Sequence, residues 1–248
     1  MNSVIIVVAA GALMFAGSVN AAEIKVLSTQ ATEQSYRELV PQFEKETGHK
    51  VTTIFTGTLD LKKRIAAGEA YDLIIMAATD LDGFVKAGTV VSGTRVDLAK
   101  SGVGAGVKAG APKPDISSVD ALKKTVLAAK SIGYSTGTSG LYIVGMFEKL
   151  GIGDQIKPKL KQTATGVFVG TLVASGEAEI GFQQVSEMSQ FAGVDYVGPL
   201  PAAVQQYTTF ASGIQAGAKE AEAAKALVKF LTSPTAAPVF RKKGMEPA

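Results

Sequence analysis

The chain has 248 residues, 46% of them hydrophobic, and a formal charge of +3 from 25 Lys and Arg against 22 Asp and Glu. The charge is spread along the chain with no basic block, which argues against a nucleic-acid partner. There is no Cys and one His, His49, so a thiolate nucleophile and a Cys/His zinc cage are excluded and a Ser-His-Asp triad would have a single imidazole to draw on.

Residues 4–16 form an apolar run too short to span a bilayer comfortably. "SVNAAE" follows, with Val19 and Ala21 in small-residue cleavage positions. This predicts an export signal over residues 1–21, cut after Ala21, and a periplasmic mature protein. The missing Lys or Arg ahead of the apolar run leaves an uncleaved anchor as the alternative. An exported chain without Cys folds on its core, without disulfides.

"EIKVLST" alternates like a short strand. In "TEQSYRELVPQFEKETG", Tyr36, Leu39, Val40 and Phe43 fall on one helical face, with Thr32 a predicted N-cap and Gly48 a predicted C′ residue. Pro41 inside this helix is expected to kink it or interrupt its hydrogen bonds. His49 in "ETGHKV" reads as an exposed turn residue. "KVTTIF", helix "LDLKKRIAAG", the almost wholly apolar strand "YDLIIMA" and helix "TDLDGFVKAG" continue a strand–helix alternation. Short connections and a fully apolar strand predict an α/β fold with a largely parallel sheet. After a Gly-rich stretch containing a strand at 103–107, the alternation restarts with "SVDALKKTVLAA", "SIGYS", "GLYIVGMFEKLG", "GVFVGTLVASG" and "AEIGFQ". The tail from Tyr207 holds one strand and two helices, too little for a domain, so it is expected to complete an earlier one.

Four junctions that lead into helices share a composition: "STQAT" (28–32), "TGT" (56–58), "STGTSG" (135–140) and "TATG" (163–166). Ordinary capping favours Ser, Thr and Gly. Four such loops with no Asp or Asn among them point further, to an anion held by helix N-termini, bare amides and hydroxyls at the carboxyl ends of strands. No G-x-x-x-x-G-K-[ST] loop occurs. Asp72, Asp80 and Asp82 could offer acid–base groups, but Asp72 reads as structural and the other two as first-turn helix residues, so catalysis is not expected.

Taken with the segments "FTGTLDLKKRIAAGEAYDLIIMA", "GTSGLYIVGMFEKLG", "LVASGEAEIGF" and "FLTSPTAAPVFRKKG", the sequence from Ile24 to Gly244 resembles the molybdate-binding components of bacterial ABC importers, which are type II periplasmic binding proteins. The resemblance implies a two-lobed α/β fold with two crossover hinge strands: lobe I from 22–102 plus 208–248, lobe II from 103–207. It implies capture of a molybdate- or tungstate-like oxyanion, delivery to an inner-membrane ABC permease, a monomer, no cofactor and no resident metal. It places ligand contacts at Thr58, at Ser139 and at Gly166 or Val167, to which the loop composition adds Gly57, Ser135 and Gly140. A family Ser falls on Ala31, for which Ser28, Thr29 or Thr32 could substitute, and a family Tyr falls on Gln184. These two departures make a small organic carboxylate the alternative cargo, with Arg95, Lys100 and Tyr134 as candidate carboxylate contacts. An exported enzyme on the same scaffold, or a partner-binding protein with a vestigial cleft, are further alternatives.

Overall fold

The computed structural model describes residues 21–248. The predicted export signal, apart from its last residue, lies outside the described residues. Strand β1 (Glu23–Thr29) passes through a 3-10 turn, Gln30–Thr32, into α1 (Glu33–Thr47). Then come β2 (Lys50–Thr56), α2 (Thr58–Ala66), β3 (Leu73–Ala77), α3 (Ala78–Lys86) and the long β4 (Val96–Lys108). The middle of the chain holds α4 (Val119–Ala128), β5 (Ile132–Tyr134), α5 (Thr138–Lys149), α6 (Gly153–Ile156), β6 (Leu160–Gln162), α7 (Val169–Ser175), β7 (Ile180–Gln184), α8 (Val185–Met188) and β8 (Val194–Pro199). It ends with β9 (Tyr207–Ile214), α9 (Ala221–Leu231), α10 (Ala236–Lys242) and β10 (Glu246–Pro247).

The strands run in the order β2-β1-β3-β9-β4-β7-β5-β6, with β8 and β10 also on β4. β1 is parallel to β2 and β3, and β5 is parallel to β6 and β7. Between these two parallel groups lie β9 and β4, antiparallel to each other. The first half of β4 pairs with β9; from Val103 onward it pairs with β7 and β8. One strand therefore belongs to both lobes, and β9 makes the return crossing. The cores divide accordingly. Ile24, Phe43, Leu73, Leu227 and Phe240 share one cluster, so the tail packs under the first strands. Val103, Leu122, Ile143, Phe147 and Phe182 form another. Every residue of β3 is buried, as its uninterrupted apolar run requires.

Helix α1 buries Tyr36, Leu39 and Phe43 and ends at Gly48, whose φ of 76° is the left-handed C-cap conformation. The helix is continuous through Pro41, which costs it one hydrogen bond, as expected. Arg37 and Pro41 both lie on its exposed face, so the carbonyl that loses its N–H partner is open to water. His49 departs from expectation. It is buried, its Nδ1 accepts the Ala22 N–H at 3.0 Å, and its ring lies 5.9 Å from that of Phe43. The parallel pairing of β1 with β2, Glu23 opposite Lys50, sets Ala22 beside the His49 ring.

The acidic residues of the third strand–helix unit do not form a cluster. Asp72 accepts backbone N–H groups of Lys25 (2.8 Å) and Glu220 (2.9 Å), fastening β1 to the tail. Asp80 pairs with Lys62, and Asp82 with Arg95. At the crossover, the Gln205 amide reads both backbone groups of Val103: Oε1 accepts its N–H at 2.8 Å and Nε2 donates to its carbonyl at 2.9 Å. Among the described residues no helix is long and apolar enough to cross a membrane.

A closed cleft lined by uncharged donors

The loops after β1, β2, β5, β6 and β7 meet around one cavity of ≈ 40 Å³ between the lobes. Thr29, Gln30 and Ala31 line it from the first loop, and Gly57 and Thr58 from the second. Ser135 through Ser139 form the opposite wall, with Gly166, Val167, Gln183, Gln184 and Glu187 beside them and Phe210 of β9 completing the lining. No Lys or Arg is among these residues. Thr58 and Gly137 open their helices as N1 and N-cap residues without side-chain caps, so the first amides of α2 and α5 are not spent on their own side chains.

Hydroxyls from the two lobes converge on the same point. A methyl group built at Gly137 would lie 3.5 Å from Ser135 Oγ and 3.6 Å from Thr58 Oγ1. Ser135 Oγ accepts the Gly137 N–H at 3.3 Å and lies 3.5 Å from Ser139 Oγ. Ser135 and Ser139 are buried; each hydroxyl has one O–H, so while they bond each other one of the pair keeps its donor, and a ligand that replaces this 3.5 Å contact can take both.

The lips of the cleft touch. Gln30 Nε2 donates to the Gly166 carbonyl at 2.9 Å, across 136 residues of sequence. A Cβ at Gly57 would lie 2.7 Å from Gly166 N, so only glycine permits this approach. Gly166 itself holds φ = 80°, the left-handed region that favours glycine.

Several sequence-predicted contacts lie elsewhere. Ser28 and Thr32 do not line the cavity; their hydroxyls bond each other at 2.8 Å, and Thr32 Oγ1 donates to the Thr29 carbonyl at 3.1 Å instead of capping α1. Gly140 is a packing residue. A Cβ there would overlap the Ser135 carbonyl at 1.8 Å, so glycine lets α5 press onto the end of β5. Tyr134 is outside the lining. Arg95 is held by Asp82 (2.7 Å) and Asp97 (3.0 Å) in a separate cavity. Lys100 pairs with Glu246 at 3.0 Å and stacks over Tyr207 behind the crossover. Gln184 faces the cavity, but its amide is committed to the hinge. In the orientation that satisfies both ends, Nε2 donates to the carbonyls of Ser101 (2.9 Å) and Gly102 (3.1 Å), and Oε1 accepts from Thr208 Oγ1 (2.9 Å).

The loop after β7 contributes more than the sequence suggested. Gln183 Oε1 accepts the Val169 N–H at 2.8 Å, which orients its amide. Glu187 is the third residue of α8, placed to bond back to the Gln184 backbone in the manner of a capping box. Desolvation pushes its carboxyl up to about 8, despite opposing hydrogen bonds from Gln183 and the Gln184 backbone; the nearby Glu33 carboxylate adds to the rise. Its carboxyl is therefore held toward the protonated form.

Two lobes joined by crossing strands, with a small cleft lined mainly by neutral polar groups between them, are the architecture of a solute-binding protein. The Bacterial extracellular solute-binding protein family model matches residues 24–246, and the chain belongs to this family. Aconitate isomerase of a Pseudomonas species is 34% identical over 230 residues, 90% of this chain and 87% of its own. The molybdate-binding protein ModA of Azotobacter vinelandii is 31% identical, covering 96% of each chain. The solved periplasmic molybdate-binding protein of Azotobacter vinelandii superposes with a TM-score of 0.76 at 20% identity, over 90% of this chain and 98% of that one. The fold is that of the type II periplasmic binding proteins.

Proposed function

We propose that this protein captures a small, fully ionised oxyanion of the molybdate or tungstate type between its lobes and presents it to an ABC permease in the inner membrane. Lobe I is then 22–102 with 208–248, and lobe II is 103–207. The observation that carries the reading is the meeting of Thr58, Ser135 and Ser139 hydroxyls with unspent helix-terminal amides around one cation-free cavity. Such a site offers donors to an anion that is all acceptor. The small volume of the cleft, ≈ 40 Å³, suits a compact anion better than an extended one. Titration calorimetry against molybdate, tungstate, sulfate and trans-aconitate tests this. Tight binding of the first two with weak binding of the others is expected; tight binding of trans-aconitate alone would overturn the oxyanion assignment.

A second reading takes a small polycarboxylate as the ligand and isomerisation as the activity. It is favoured by the acid Glu187, which titrates within reach of neutrality inside the cavity, and by the 34% identity to a protein named aconitate isomerase. The six-carbon acid would require the lips at Gly57 and Gly166 to part. Proton NMR of trans-aconitate in D2O with the protein decides it, since turnover would give the cis isomer and deuterium at carbon.

A further inference from the structure

Glu187 is the cavity's one ionisable side chain, and the cleft offers it no cation. Its element, α8, packs against β4, β7, β8, α7 and the 30–32 turn. Those elements, the adjoining start of α1 and the end of α10 with the turn to Gly244, which packs on Val185 and Ser189, carry Asp97, Lys100, Lys108, Asp195, Tyr196, Glu33, Arg241, Lys242 and Lys243. Of these only Glu33 acts on the Glu187 carboxyl, and it is a like charge that is itself paired with Arg37 at 2.7 Å. Lys100 is engaged by Glu246, and Asp97 by Arg95.

An ionised Glu187 beside an incoming anion would be two negative charges in one desolvated cavity. Gln183 lines the same wall of the cavity, and its Oε1 accepts the Val169 N–H at 2.8 Å, which leaves its NH2 as the group turned toward a neighbour. Glu187 lines the cavity where the anion would sit, so the cavity is the outlet for its O–H. Resting on the proposed anion-binding reading, we infer that Glu187 is a specificity-determining contact: it donates a hydrogen bond to the bound anion, so that the cleft binds the anion with this carboxyl protonated and takes up a proton wherever the free carboxyl is ionised. The site thus selects anions that carry no proton of their own, because a protonated ligand would bring a second donor to a ring of donors.

The test uses molybdate and trans-aconitate, both fully ionised above about pH 7, so that any change at higher pH belongs to the protein. Titration calorimetry of the full mature chain from pH 6.5 to 9.5 is expected to show a Kd flat below about pH 8 and rising tenfold per unit above it. In buffers of different ionisation heat, binding at pH 9 is expected to draw close to one proton from solution. Glu187→Gln, whatever its affinity at pH 6.5, should keep that affinity to pH 9.5 and take up no proton. A wild-type Kd flat to pH 9.5 without proton uptake overturns the inference and leaves anion capture standing. The same holds if Glu187→Gln retains the wild-type pH dependence. If neither probe binds at any pH, the anion-binding reading itself fails, and this inference with it.

Discussion

Replacing Gly57 by Ala tests whether capture requires the lips to close as described. The backbone at Gly57, φ −72° and ψ 155°, is ordinary for alanine, so the substitution costs nothing in the separated lobe. In the closed form the new methyl would lie 2.7 Å from Gly166 N and 3.2 Å from Thr165 Cγ2. Backbone must then retreat by several tenths of an ångström, and the Gln30–Gly166 bond of 2.9 Å stretches with it. Inserting one carbon into a tight contact costs about 1–3 kcal/mol. Since the cost falls on the closed form alone, it appears as a loss of affinity of about 5- to 150-fold. Calorimetric titration gives the affinity, and thermal melting of the ligand-free protein is expected to match wild type. An unchanged Kd, or a lowered melting temperature with unchanged Kd, would refute the reasoning.

Thr58→Ala and Ser139→Ala should each weaken anion binding by about 1–3 kcal/mol without unfolding the protein, measured by calorimetry and melting. Lys100→Ala removes an exposed pair with Glu246 behind the crossover and should change anion affinity by less than about threefold, because such pairs contribute about 0–1 kcal/mol and this one faces away from the cleft. Gln184→Ala leaves the Ser101 and Gly102 carbonyls without their amide donor and should lower unfolding stability by about 1–3 kcal/mol in urea. For Glu187, the folded carboxyl holds its proton to about 8, whereas an unfolded one releases it near 4.5. The folded state binds the extra proton between those values, so ligand-free stability falls as pH rises from about 5 to 8 and then levels. The slope is at most about 1.4 kcal/mol per pH unit, and Glu187→Gln should abolish it.

Much of this was legible in the sequence. Strand–helix alternation, the fully apolar β3 and the incomplete tail point to a two-lobed α/β fold because period and composition report directly on burial. The Ser/Thr/Gly loops that line the cleft stand out for the same local reason. What sequence does not carry is where a hydroxyl spends its hydrogen bond. Ser28 and Thr32 have the same chemistry as Thr58, yet satisfy each other four residues apart. Gly140 looks like an anion-loop glycine but is required by the packing of α5 on Ser135. Arg95 finds Asp82 and Asp97, and His49 finds Ala22, through tertiary neighbours that no local pattern announces. Gln183 and Glu187 were overlooked because their loop lacks the Ser/Thr/Gly composition. The only local signal there is the Gln184-to-Glu187 spacing, with Glu at the third position of a helix.

The central claim is that uncharged donors from both lobes hold one anion. A crystal structure of the protein with its bound anion tests it most directly. The anion is expected within hydrogen-bond distance of Thr58 Oγ1 and Ser139 Oγ together, with no Lys or Arg nitrogen in its coordination. An anion seated instead on Arg95 or Lys100, with those two hydroxyls turned away, would contradict it.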